Sequence, residues 1–408
     1  MSNKRKIIND PVHGFITISD ELLFDIIEHP FFQRLRRINQ LGLSYLVYPG
    51  ATHTRFGHTL GAMFLTGKAI ETLRIKGAKI SDEESLATHI AILFHDMGHA
   101  PFSHSLENKL VEKTSHEKLS LLCMEELNKK FDNKLELAIK IFKNEYSRCF
   151  LHQLVSSQLD MDRLDYLSRD SFFTGVSEGI IGTERIISML NVHNDQLVVE
   201  EKGIYSIEKF IISRRLMYWQ VYLHKAVLSS ELILVKMIER AKELKSLGEN
   251  VFASPNLSLF LERRYTYQDF LENSQLLYQY MNIDDSDIMS AAKVWTTHPD
   301  LILSKLAKSL VERHLFKMEL QPQPFSKERI EEMQNRISKI LNIDSKDIHY
   351  FVSTEEVKNN AYSFSDEEIN ILYKNGDCKD ISKASDQLDK HFLEKIVRKY
   401  YLSYPKIA

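Results

Sequence analysis

LATHIAILFHDMGHAPFSHSLE, residues 86–107, decides how this chain is read. Leu86, Ile90, Leu93 and Phe94 recur at three- and four-residue spacing and trace one apolar stripe of a helix. The Met97–Gly98 step and Pro101 stop that helix. His95 and Asp96 therefore fall at its end, two donor side chains at a helix terminus facing a cavity. A His-Asp pair by itself turns up by chance in long chains, and what lifts this one is its surroundings.

Upstream lies TRFGHTLGAMF, residues 54–64; downstream come SHEKLS, residues 115–120, and LDMDRLDYLSRD, residues 159–170. Of the 16 histidines in the chain, His58, His95, His99, His104 and His116 are the ones in this region that carry the reading. Lone histidines such as His29, His193 and His314 carry no functional reading. Two neutral imidazoles and two carboxylates make a compact mixed N/O shell suited to Mn, Fe, Zn, Ni or, less well, Mg. His58 and Asp162 are expected on separate helices, bordered by Phe56, Leu60, Met161 and Leu164, which is how a helical bundle builds a metal site.

Composition narrows the class. Lys plus Arg total 53 against 56 Asp plus Glu, for a formal net charge of −3, so nothing global favours nucleic acid or an anionic membrane. Cys123, Cys149 and Cys378 fit neither a disulfide framework nor a zinc ribbon, and no segment has the length of a signal peptide or a membrane span. A cytoplasmic protein is expected.

The spacing predicts a mainly α fold. KRKIINDPVHGFITIS reads as two β-branched runs around a turn, a hairpin-like flap on a helical body. From Asp20 to about Leu247 the helical period dominates, with Ile207, Phe210, Ile211, Arg214 and Tyr218 as a second stripe. An interruption at Asn194 to Ile204, where QLVVEEKGIY begins at Gln196, looks like a short surface hairpin. GENVFASP, residues 248–255, marks a soft boundary between a core at 1–250 and a C-terminal region at 251–408. HYFVSTEEV, EINILYKNGD and YYLSYP read as strands of a small α+β C-terminal subdomain. LERRYTYQDFLE reads as a solvated helical face.

RFGHTLG, LFHDMGHAPFSH and DMDRLDYLSRD resemble the signature of HD-domain phosphohydrolases. The resemblance is nearest to the SAM-and-HD-domain deoxynucleoside triphosphate triphosphohydrolases and their bacterial relatives. It extends through NDPVHGFI, PFFQRLRRINQLG and YPGATHTRFGH to SRRLMYWQVYLHKAV, about the first 230 residues, with no SAM domain. It implies an HD-type helical core in which His58, His95, Asp96 and Asp162 ligate a divalent metal that activates water against a phosphoester. It implies His99 and His116 beside the phosphates, His116 as general acid, and Glu107, where family members carry Asp, orienting it. Arg55, His104, Arg163, Tyr166, Asp170, Arg214 and Tyr222 match nucleotide-contact positions, and Gln40 and Leu41 the segment at the deoxyribose hydroxyl. Arg163 stands in place of a Lys, and Leu223 in place of a Gln.

The residue chemistry agrees with this. A triphosphate needs several cations, and Arg55, Arg163 and Arg214 are planar bidentate donors. Tyr166 and Tyr222 serve either as nucleoside contacts or as core. Arg34, Arg36 and Arg37 belong to packing, an interface or an effector site. Lys6, Ile7, Asn9, Glu28, Gln33 and Arg36 resemble an activating-nucleotide site between subunits, which implies a nucleotide effector and a homo-oligomer, or else they serve the local fold. Two other readings stay open: an HD phosphohydrolase for nucleoside monophosphates or guanosine alarmones, and a nucleotide-sensing or single-strand-binding protein with a vestigial site.

Overall fold

A β-hairpin opens the chain, and its turn reaches further into the molecule than a flap does. The structure, a computed structural model, describes residues 6–359, 362, 368–388, 393 and 396–406. Strands Lys6–Asp10 and Gly14–Ile18 pair antiparallel, with Asp10 opposite Gly14. The Asp10 carboxylate accepts from the backbone N–H groups of Val12 and His13, and Gly14 takes φ +77°, a left-handed value that a side chain resists. Period-two alternation buries Ile16 and Ile18 on the helices while Ile7 and Phe15 face outward. The hairpin is thus a seated element, because its inner face is apolar and its turn is polar and aimed inward.

Helix Arg55–Ile75 is the central rod. It is buried on most of its faces, packing on helix Asp82–Phe94 along one side and on helix Met161–Thr174 along another. Ser81 and Glu84 form a reciprocal cap that fixes where Asp82–Phe94 begins, and the helix ends at His95, as its sequence predicts. Asp160 caps Met161–Thr174 by accepting from the Arg163 N–H, and Gly175 closes it at φ +73°. The rod and the Asp162 helix approach closely at Gly61, where an added Cβ would stand 1.9 Å from Asp165 Oδ1 and 2.3 Å from Arg169 Nη2.

The stretch at 248–254 does break the helical run, between helices Lys225–Ser246 and Pro255–Glu262. One hydrophobic core nevertheless runs from Ile16 to Tyr404 across it. The C-terminal strand Val397–Tyr404 lies between Lys317–Gln321 and Ser353–Asn359, antiparallel to both. Two local expectations are corrected. The insertion hairpin Leu190–His193 with Gln196–Glu200 is not a loose surface piece: Val198 and Val199 are buried, and Gln196–Glu200 pairs in parallel with Asn370–Leu372. LERRYTYQDFLE is not one helical face: Tyr265–Thr266 pairs with Val111–Glu112 and splits it, burying Tyr265 and Phe270.

Candidate metal centre and catalytic cavity

Three helix ends meet at one point. His58 lies in the first turn of Arg55–Ile75, His95 caps the end of Asp82–Phe94, and Asp162 lies in the first turn of Met161–Thr174. His58 Nε2 stands 3.0 Å from Asp162 Oδ1, 3.3 Å from His95 Nε2 and 3.5 Å from Asp96 Oδ2. His95 Nε2 is 3.5 Å from both Asp162 Oδ1 and Asp96 Oδ1. Donors held about 2.0–2.2 Å from one ion sit roughly 3.0–3.5 Å from each other, so this set fits a divalent metal. Its chemistry fits as well, with two imidazoles and two carboxylates.

What lies behind each ring decides which nitrogen it offers. His95 Nδ1 donates to the Ile92 carbonyl at 2.6 Å, and His58 Nδ1 donates to Asp165 Oδ2 at 2.8 Å. Both rings therefore present Nε2 to the centre. Two facing lone pairs at this distance require a positive charge. Burial acts to lower the His58 imidazolium, but its bonds to Asp162 and Asp165 and the charges of Asp165 and Asp96 outweigh burial and hold it up to about 10. The same place that binds that proton suits a cation. Burial likewise opposes ionised Asp96, yet Arg55, His95 and His99 keep its carboxyl well below the usual range.

A cavity of about 440 Å³ opens beside this cluster. It is lined by Gln40, Leu41, Arg55, His95, Asp96, His99, His104, His116, Asp162, Arg163, Tyr166, Asp170 and Tyr222, among others. Three residues named from the sequence do not line it. His58 is sealed behind the cluster, Glu107 stands behind His116, and Arg214 is buried close to Arg163 and Tyr166. Glu107 reaches despite its longer arm. Oε1 accepts from His116 Nδ1 and from the His116 backbone N–H, both at 2.9 Å, while Oε2 accepts from His104 Nδ1 at 3.0 Å. Burial raises Glu107, but the bonds from His104 and His116 prevail and hold it below the carboxylate range.

His99 stacks on His116 with centroids 3.8 Å apart and planes 17° from parallel. Burial, Arg55 and His116 keep His99 neutral. The nitrogens of His99, His104 and His116 are close enough for an ion by spacing alone. Stacked rings, however, send their in-plane lone pairs in parallel directions rather than to one point, so this trio suits proton transfer better than ligation. On the far walls, Arg163 donates to the Ser157 carbonyl at 2.7 Å, and Asp170 is clamped by Tyr222 Oη and His53 Nε2, each at 2.7 Å. Arg34 is fully buried and donates to the Ile283 and Met97 carbonyls, a packing role. Lys6 pairs with Glu28 at 2.6 Å, and Arg36 bonds Gln33 at 2.8 Å.

Sequence reasoning passed over Asp165, Asp10, His13 and Arg169 behind His58, and Asp160, Tyr218 and Glu231 in the cavity wall. Asp165 had a signal: three residues after Asp162, it shares that helix face. Glu231 had none, since only the packing of helix Lys225–Ser246 brings it to the cavity.

Fold and site together fit a helical metallohydrolase, with donors that could hold an ion on converging helix ends. The HD domain family matches residues 55–170, and the HD associated region matches residues 181–254. An uncharacterized protein of Bacillus subtilis, YwfO, is 33% identical over 94% of this chain and 88% of its own length. The crystal structure of a phosphohydrolase from Bacteroides thetaiotaomicron matches with TM-score 0.95 and 53% identity, covering 98% of this chain and 100% of that one. A deoxynucleoside triphosphate triphosphohydrolase SAMHD1 homolog of Dictyostelium discoideum is 29% identical over 60% of this chain and 51% of its own, so the chain spans about half of that relative. The chain belongs to the HD-domain phosphohydrolase superfamily and is a metal-dependent phosphohydrolase. Among the described residues, no helix is long and apolar enough to cross a membrane.

Proposed function

We propose that the chain hydrolyses deoxynucleoside triphosphates to nucleoside and tripolyphosphate, with His58, His95, Asp96 and Asp162 holding the divalent ion. The observation that carries this reading is that one cavity joins the ion-binding cluster, the His116 imidazole, the guanidinium groups of Arg55 and Arg163, and the rings of Tyr166 and Tyr222. The substrate class follows the relative named as a triphosphohydrolase of deoxynucleoside triphosphates. When bound, the ion polarises a phosphoryl oxygen and makes water acidic enough to attack the α-phosphorus.

The chain's own residues do the rest. Arg55 is fixed by its bonds to Asp96 and to Ser103 Oγ, so its remaining donors meet phosphate without searching for an orientation. Arg163, held by Asp160 and the Ser157 carbonyl, adds a second guanidinium. Glu107 accepts a hydrogen bond from Nδ1–H of His116 and fixes the ring, so that Nε2 is the nitrogen that gives its proton to the departing nucleoside oxygen while Nδ1–H stays in place. His99 braces that ring by stacking, and because it stays neutral it adds no repulsive charge. Gln40, Leu41, Tyr166 and Tyr222 frame the sugar.

The test is incubation with each deoxynucleoside and ribonucleoside triphosphate in Mn or Mg, with and without a second nucleotide as activator, and resolution of the products. Nucleoside plus tripolyphosphate, abolished by Asp96→Ala, is the expected result. Binding of metal without cleavage of any triphosphate overturns the substrate assignment and moves the search to monophosphates and alarmones.

A further inference from the structure

We propose that the turn of the N-terminal hairpin belongs to the metal centre: Asp10 and His13, acting through Asp165, hold His58 in its ligating orientation and set the affinity of the site for its cation. This rests on the reading of His58 as a ligand, and the residues concerned lie partly outside the segment matched by the HD family.

The connection is continuous and dry. His58 Nδ1 donates to Asp165 Oδ2 at 2.8 Å, and His13 Nε2 donates to Asp165 Oδ1 at 2.6 Å. Arg169 adds Nε to Oδ2 at 2.9 Å and Nη2 to Oδ1 at 3.0 Å, so four donors saturate this one carboxylate. The other edge of the Arg169 guanidinium reaches Asp10, with Nη1 to Oδ2 at 2.8 Å. Asp10 in turn accepts from the backbone N–H of His13, so one residue fixes both the arginine and the loop that carries the histidine. The side chains of Asp165, Arg169 and His58 are at most 1% exposed, and those of Asp10 and His13 only 5% and 9%.

Two features argue that this is more than a structural ion pair. First, the network ends on the nitrogen opposite the one aimed at the metal, where a carboxylate fixes the tautomer and increases the donor strength of the ring. Second, two carboxylates, Asp10 and Asp165, share the one guanidinium of Arg169 behind His58, an arrangement that favours a cation in front of it. The close approach at Gly61, one turn after His58, gives Asp165 no room to swing away.

Metal affinity and hydrogen exchange test this without recourse to activity. In Mn2+ titrations of the full-length protein, followed by electron paramagnetic resonance, His58→Ala should lose the site, and its failure to do so refutes the ligand assignment itself. With that assignment standing, His13→Ala and Asp165→Asn should weaken Mn2+ binding about 10- to 100-fold. His13→Gln, which keeps a donor to Asp165, should recover part of the loss. Phe15→Ala, on the outward face of the same hairpin, should bind like wild type. Metal should also slow amide exchange at residues 10–14 of the wild type, a readout that survives if a variant fails to fold. Wild-type affinity in both His13→Ala and Asp165→Asn overturns the proposal, as does exchange at the turn that ignores metal.

Discussion

Two groups of histidines stand side by side in this molecule and differ in how their rings are held. His58 and His95 each have Nδ1 tied to a different acceptor, on different helices, so their Nε2 atoms converge at 3.3 Å with ring planes 75° apart. His104 and His116 have Nδ1 tied to the same carboxylate, Glu107, and His99 lies flat against His116. The first arrangement gathers lone pairs around a point, whereas the second spreads them along a wall. The residue type is the same throughout; what sits behind each ring is what would separate the proposed ligands from the proposed proton carrier.

The sharpest way to break this comparison is to remove one member from each group and ask which property goes. His95→Ala should lose both bound metal and turnover, the latter by at least about 10³-fold, because the ion is the source of nucleophile and charge stabilisation alike. Elemental analysis of the purified variant checks it. His116→Gln should keep its metal and lose roughly 10²–10⁴-fold in kcat, the range ascribed to a positioned general acid. If His116→Gln loses metal in proportion to its activity, the two groups are not distinct and the division drawn above is wrong.

Part of this contrast is legible in the amino-acid sequence. The four candidate ligands stand out because a His-Asp pair at a predicted helix end, a second His and a second Asp on other helices are unlike a random scatter of titratable groups. His99, His116 and Glu107 came from resemblance, and the geometry of Glu107 shows how the longer carboxylate still spans the gap. The supporting layer was hidden for a physical reason. His13 and Asp165 are 152 positions apart, and nothing local in a β-turn histidine says that a helix will bring a carboxylate to it. The strand Lys317–Gln321 was missed for the same reason: five residues of weak alternation become a strand only because Val397–Tyr404 offers an edge. The insertion hairpin and EINILYKNGD both read as β, but the burial of the hairpin depends on Gln196–Glu200 pairing with Asn370–Leu372, and no local pattern says that two segments so far apart meet.

A smaller effect probes how tightly the ligand side is packed. Gly61→Ala drives a methyl into Asp165 and Arg169 and should destabilise the fold by about 1–3 kcal/mol, the usual penalty for overpacking. Denaturant unfolding measures it. Metal affinity should fall as well, since Asp165 is the atom group displaced. Gly77→Ala is the contrast: no atom lies within 4 Å of its Cβ, so only the cost of φ +98° remains, and metal binding should be untouched.

The smallest expected effect concerns the cavity wall away from both histidine groups. Among the described residues no cation forms an ion pair with Glu231, and burial pushes its carboxyl up to about 7. A carboxyl that is harder to ionise in the folded state than in the unfolded one contributes stability below its ordinary range, near pH 4.5, and that contribution is lost as pH rises through 7. Glu231→Gln removes the titration while keeping the shape. The variant should therefore match wild type near pH 4.5 and overtake it by about 1–2 kcal/mol at pH 8, less than the full shift implies because the cavity admits water. Unfolding at a series of pH values gives the difference directly. A flat difference would mean that Glu231 is as well hydrated as a surface residue. A rising one would mark it as the neutral hydrogen-bonding group of the cavity, in contrast to buried Asp96, whose carboxylate Arg55, His95 and His99 keep low against desolvation, and to half-buried Asp162, which His58 and His95 hold low in the same way.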